Sequence, residues 1–231
     1  MHKTIGILGG MSPESTIAYY EYITRTYTER FGDYGYPEVL IYSVCFQPYV
    51  DWPREDRWDL VAKGLSEAAR TLEGAGADVI VIATNTMHIV FDDVARAVDV
   101  PMLSLLDVVG AEIVRQEIET VGLLGTAFTM EKPFYRQGLA DKGIDVLVPG
   151  PKDRKLVDDV IYNELVAGKI RAESREAFVR IINELADRGA EGVVLGCTEI
   201  PLLVNEEHVD LPLFDTTVIH AAAALRFAVE G

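Results

Sequence analysis

Two short stretches of this chain end a run of apolar residues on a reactive side chain. In VIVIATNTMH (Val79–His88) β-branched residues stop at Thr84-Asn85-Thr86, and in EGVVLGCTEI (Glu191–Ile200) a similar run stops at Cys197-Thr198-Glu199. One tip offers a hydroxyl, the other a thiol. A thiol moves protons near neutral pH because its reference pKa of ~8.5 falls beside helix termini or cations. A threonine hydroxyl is far less acidic and passes on a proton only with help from a base or water. Placed on opposite faces of one carbon, two such groups suit removal of a proton from one side and its return to the other. That is racemisation or epimerisation next to a carboxylate. The developing enediolate needs donors aimed at its oxygens. Asn85, Thr86, Thr126, Thr129 and Thr198 lie at strand-to-helix junctions, where backbone N–H groups also point outward.

Each residue also has a plainer role. A lone cysteine is commonly a buried small hydrophobe, and Cys45 is read that way. Thr84 before a helix is a routine N-cap. Ser12-Pro13 is a good N-cap and N1 pair whose added role would be to present N–H groups to a carboxylate. The turn GGMSPES lacks the third glycine of a dinucleotide fingerprint. Glu199 could hold a substrate ammonium or tune Cys197, although a first-turn glutamate also favours the helix dipole. His88 and His220 are read as structural. Cys197 is expected to be the only readily ionised group of the pair, which predicts that one enantiomer turns over much faster than the other.

The elements that must position these tips alternate. Apolar runs at Thr4–Leu8, Val39–Val44, Val79–Ala83, Met102–Leu105, Thr120–Leu124, Asp145–Leu147, Gly192–Leu195 and Leu211–Phe214 read as strands. Amphipathic stretches such as Ser15–Arg30, Arg57–Ala75, Phe134–Lys142 and Arg175–Arg188 read as helices between them. That alternation predicts parallel sheets covered by helices. The pattern is also duplicated. Gly76 precedes Thr84 by 8 residues and Gly189 precedes Cys197 by 8; VDVPML answers VDLPLF, and IGILGGM resembles VGLLGTA. Two similar α/β halves related by an approximate two-fold are the simplest account. Ligands of open parallel sheets sit beyond the carboxyl ends of the strands, so the expected site is a cleft between the halves.

Bulk properties narrow the partners. With 21 Lys+Arg against 37 Asp+Glu, the net charge is −16. Such a surface repels nucleic-acid phosphates and anionic lipid, and an anionic substrate must rely on local donors. No window holds the roughly 18 apolar residues of a membrane span, and the N-terminus lacks the pattern of a secretory signal, so a cytoplasmic location is expected. The two cysteines make neither a disulfide framework nor a metal-ligand spacing.

GILGGMSPEST, TNTMH, LLGTAFTM, GCTEIPLLV and PLFDTTVIHA, spread from Ile5 to about Ala224, together resemble the cofactor-independent aspartate/glutamate racemase family. The resemblance implies two flavodoxin-like domains with the active site between them. The expected division is 1–103 plus 216–231 for the first domain and 104–215 for the second. It also implies two-base proton transfer at an amino-acid α-carbon without pyridoxal phosphate, metal or other cofactor, and a homodimer. Most members carry cysteine where this chain has Thr84; the present pattern is similar to a branch specific for L-aspartate and L-glutamate. By that resemblance Thr84 and Cys197 form the catalytic pair. Met11, Asn85 and Thr86 surround the substrate, with Gln47 near its side-chain end. Arg171 is preferred among Arg54, Arg57, Lys132, Lys169 and Arg171 as the cation for the side-chain carboxylate. A single-cysteine decarboxylase or cis–trans isomerase, or a non-catalytic amino-acid-binding relative, are the alternatives.

Overall fold

The computed structural model describes residues 2–231. The chain begins with β1 (Ile5–Gly9), α1 (Pro13–Phe31), β2 (Val39–Ser43), α2 (Phe46–Arg54), α3 (Trp58–Gly74), β3 (Val79–Ile82), α4 (Phe91–Ala95), β4 (Met102–Leu103) and α5 (Leu105–Arg115). It continues through β5 (Thr120–Gly125), α6 (Ala127–Glu131), α7 (Pro133–Ala140), β6 (Asp145–Leu147), α8 (Pro151–Asn163), α9 (Ala172–Asp187), β7 (Gly192–Gly196), β8 (Leu213–Asp215) and α10 (Thr216–Glu230). Two compact units result. One runs to Val108 and takes in Thr217–Gly231, and the other is Val109–Thr216.

Each unit holds a four-stranded parallel sheet, ordered β2-β1-β3-β4 in the first and β6-β5-β7-β8 in the second. The two orders are the same order, as the sequence duplication predicts. The central strands β1, β3 and β7 are buried along their whole length, and β5 all but its first residue. Continuous apolar runs are what a parallel sheet covered on both faces requires.

In the first unit the strand period of two sorts side chains cleanly between faces. Ile5, Ile7, Val79 and Val81 pack with Tyr19, Ile23 and Tyr27 of α1 and with Ala221, Ala224 and Leu225 of α10. Leu8, Ile80 and Ile82 face the other way, onto Val61, Leu65, Ala69 and Leu72 of α3. In the second unit Leu124, Val193 and Leu195 pack with Val157 and Ile161 of α8 and Phe178, Ile182 and Leu185 of α9.

The helix starts follow local chemistry. Ser12 caps α1, its side chain accepting the Ser15 N–H at 3.3 Å, and Pro13 fills the first turn. At the other end Gly32 adopts φ 75° and its N–H bonds the Thr28 carbonyl, the left-handed C-cap that glycine favours. Among the described residues no helix is long and apolar enough to cross a membrane.

Candidate functional site

In the first unit β1 and β3 pair in parallel, Leu8 opposite Ile82, so the segments leaving both strands emerge at one end of the sheet. Met11 and Ser12 follow β1; Thr84, Asn85 and Thr86 follow β3. Met11, Ser12, Thr84 and Asn85 are buried and Thr86, which opens a 3₁₀ turn at Thr86–Val90, is partly so. The Ser15 hydroxyl donates to the Ala83 carbonyl at 2.5 Å, tying the start of α1 to the β3 tip. Gly10, at φ 91°, lets the chain turn there: a Cβ would lie 2.6 Å from the Val44 carbonyl oxygen.

His88 adds an anchor that sequence reasoning set aside. Its Nδ1 lies 2.8 Å from the Thr84 carbonyl oxygen and its Nε2 accepts the Leu105 N–H at 3.1 Å. Burial pushes its pKa down to about 4. His220 sits beside it, ring centroids 5.8 Å apart, and bonds the Tyr19 hydroxyl and the Leu103 carbonyl. Burial, reinforced by the neighbouring His88, pushes His220 down to about 3.

The second unit repeats the arrangement. Gly125 pairs with Gly196 at the ends of β5 and β7, bringing Thr126 and Thr129 beside the segment Cys197–Glu199. Thr126 caps α6, accepting the Thr129 N–H at 3.4 Å, and the two hydroxyls lie 3.2 Å apart. Gly196 is needed for this approach, since a Cβ there would meet the Leu124 carbonyl oxygen and the Thr129 methyl, both at 3.0 Å. The Cys197 thiol donates to Glu199 Oε2 at 2.9 Å, and the Thr198 hydroxyl donates to the same oxygen at 2.7 Å. Glu199 itself is buried.

The thiol corrects the expectation of an easily ionised cysteine. Burial first, then the adjacent Glu199 carboxylate as charge and as hydrogen-bond acceptor, push its pKa well above the ordinary thiol range, and Asp158 adds to the effect. A thiolate beside a carboxylate repels it, and a thiol that already donates to that carboxylate gains by keeping its proton. Cys197 therefore rests protonated. Asp158, on α8, also accepts the Ala127 N–H at 2.7 Å.

Two expected ligands hold other partners. Gln47 is exposed on α2, and its amide donates to both carboxylate oxygens of Asp51, 3.0 Å each, one helical turn on. Arg171, exposed at the N-cap of α9, pairs with Glu164 at 3.5 Å. Cys45 is exposed rather than packed. Among the described residues no group of three or more His, Cys, Asp or Glu side chains is placed to hold a metal ion.

A duplicated parallel α/β protein with a hydroxyl side chain, Thr84, just beyond the carboxyl end of β3 and a thiol, Cys197, just beyond that of β7 is the class these features define. Residues 8–224 match the family model described as Asp/Glu/Hydantoin racemase, and the chain belongs to that family. It is 26% identical to the broad specificity amino-acid racemase RacX of Bacillus subtilis (strain 168), over 96% of each chain. Among solved structures it is similar to a candidate Asp/Glu racemase from Yersinia pestis, with 44% identity, 98% and 99% of the two chains covered and a TM-score of 0.93. It is also similar to an aspartate racemase homologue from Pyrococcus horikoshii OT3, with 41% identity, 99% of each chain covered and a TM-score of 0.86.

Proposed function

We propose that this chain is a cofactor-independent racemase of aspartate and/or glutamate, in which Cys197 and Thr84 serve opposite faces of the substrate Cα. The observation that carries the reading is the Cys197 S–H bonded to Glu199 at 2.9 Å at the end of β7, in a chain of the racemase family. The hydrogen bond gives the thiol proton a destination. When Glu199 accepts it, the sulfur takes the proton from Cα, and the electron pair left on carbon spreads into the carboxylate as an enediolate. Backbone N–H groups and the hydroxyls of Ser12, Thr86 and Thr126 are the donors suited to its oxygens, and Thr198 would have to release Glu199 to join them. A proton returned to the opposite face at Thr84, relayed by water, completes inversion. Met11, Asn85 and Thr129 line the reading's substrate site, and Arg171 or Gln47 would have to leave its present partner to reach a side-chain carboxylate.

Because the thiol rests protonated and the opposing hydroxyl is a weak acid and a weaker base, the two directions are unequal. The enantiomer whose α-hydrogen faces Cys197 turns over faster; by the family branch that is the L form. Proton NMR in heavy water, with each enantiomer of aspartate and glutamate, checks this. The α-proton signal is expected to disappear fastest from an L-amino acid with the wild-type enzyme, and at least about a hundredfold more slowly with Cys197→Ser. Equal exchange by the two proteins would remove Cys197 from the chemistry.

The hydroxyl at Thr84 also fits one-thiol chemistry, in which decarboxylation makes the carbanion and a single protonation finishes the reaction. Carbon dioxide release from a disubstituted malonate, with no exchange at an amino-acid α-carbon, would select that reading. A homodimer and a cytoplasmic location belong with the racemase reading. Exposed Ile17 and Tyr20 on α1 and Ile41 and Tyr42 on the edge strand β2 are apolar surface that a second copy could cover.

A further inference from the structure

We infer that His88 is a positioning residue for the Thr84 half of the reaction, holding the β3 tip by its carbonyl while capping the start of α5. The inference rests on the racemase reading above. Its geometry is specific about the proton. The Leu105 N–H points at His88 Nε2 over 3.1 Å, so Nε2 carries a lone pair. The proton is therefore on Nδ1, which donates to the Thr84 carbonyl oxygen at 2.8 Å. One ring thus spans the residue that carries the hydroxyl and the first residue of a helix that begins 17 positions after His88.

Both ends of this bridge matter physically. The first N–H groups of a helix have no partner within it, and an imidazole nitrogen serves Leu105 while the Ser104 hydroxyl serves Asp107 at 3.2 Å. The bond to the Thr84 carbonyl fixes the peptide plane between Thr84 and Asn85, and with it the direction in which Thr84 presents its side chain. The ring has little room to turn. It stacks on Phe91 with centroids 5.4 Å apart and planes 5° from parallel, and meets the edge of His220 at 5.8 Å. His220 is held in turn, its Nε2–H donating to the Leu103 carbonyl at 2.9 Å and its Nδ1 accepting from Tyr19 at 2.8 Å. A displacement of about 1 Å at a reacting group costs on the order of a hundredfold in rate, so a residue that only orients Thr84 is worth measuring through the step Thr84 serves.

Heavy water separates that step from the other. Deuterium entering L-aspartate with retained configuration needs only the Cys197 face, whereas D-aspartate appears only when the Thr84 face returns a proton. His88→Gln keeps an acceptor near Nε2 and loses the donor to Thr84; His88→Asn keeps a donor near Nδ1 and loses the acceptor. The expected result is that His88→Gln lowers inversion by about tenfold or more while exchange with retention stays within about threefold of wild type. His88→Asn is expected to rescue most of the inversion. Inversion and retention falling together in both variants would overturn the inference. If neither variant folds, nitrogen-15 NMR of the wild-type imidazoles decides: protonated Nδ1 with bare Nε2 at His88 supports it, and the opposite tautomer overturns it. A wild-type enzyme that exchanges neither amino acid removes the racemase reading, and this inference with it; that outcome is distinct from loss of inversion alone.

Discussion

After burial, a carboxylate oxygen that takes hydrogen bonds from both Cys197 and Thr198 is what keeps the sulfur protonated. Alkylation follows the thiolate, so iodoacetamide is expected to label Cys197 slowly at neutral pH and faster only above the ordinary thiol range. Glu199→Gln removes a negative neighbour, so the inflection should move to lower pH. Peptide-resolved mass spectrometry keeps the exposed Cys45 apart from this measurement. An unchanged inflection would mean that burial alone holds the proton. The position of the thiol was legible in the sequence, because the apolar run, the glycine and the polar cluster mark a strand end. Its protonation was not. Cys197 reads as reactive by type, but its state depends first on burial, then on Glu199 folding back two residues and on Asp158, which lies 39 positions away on α8.

At the scale of elements, strands were the easier part. β1, β3, β5 and β7 read as continuous apolar runs because helices cover both faces, and the repeated spacing before Thr84 and Cys197 reflects the shared strand order. Helix α2 is less legible, since FQPYVDWPR holds two prolines that sequence rules set against a helix. The His88–His220 pair is illegible altogether, because its partners Leu105, Leu103 and Tyr19 come from three other segments. This pair makes a prediction about stability. Both rings are neutral in the fold, with His220 and His88 facing each other, Tyr19 on one side and Asp107 nearby. In the unfolded chain each binds a proton below about pH 6.5, while the folded values are about 4 and about 3. Unfolding therefore takes up protons in that window, and stability is lost as pH falls from about 6.5. The slope is at most about 1.4 kcal/mol per pH unit for each ring. Urea midpoints at several pH values should show it, and His220→Gln should flatten it by one proton. A slope unchanged by that substitution would show that other groups carry the dependence.

The whole molecule carries a net charge of −16, and its proposed substrates are anions. Local donors must then bind against an unfavourable field rather than with one. Raising ionic strength from about 0.01 M to about 0.15 M shortens the screening length from about 30 Å to about 8 Å. KM for aspartate is expected to fall by about twofold over that range, the reverse of the behaviour of an enzyme that steers its substrate in. A rise in KM with salt would mean that a local cluster of positive charge outweighs the surface.

Helix α10 carries a consequence for the chain as it is made. Ala221, Ala224 and Leu225 close one face of the sheet that begins at Ile5, yet they are translated after every residue of Val109–Thr216. On the ribosome, the half whose strands emerge first cannot complete its core until α10 leaves the exit tunnel, whereas the inserted half has all its own segments in hand sooner. Ile5 and Ile7 have Tyr19, Ile23 and Tyr27 of α1 against them early but lack the small residues of α10 until late. The order of birth and the order of completion run in opposite directions.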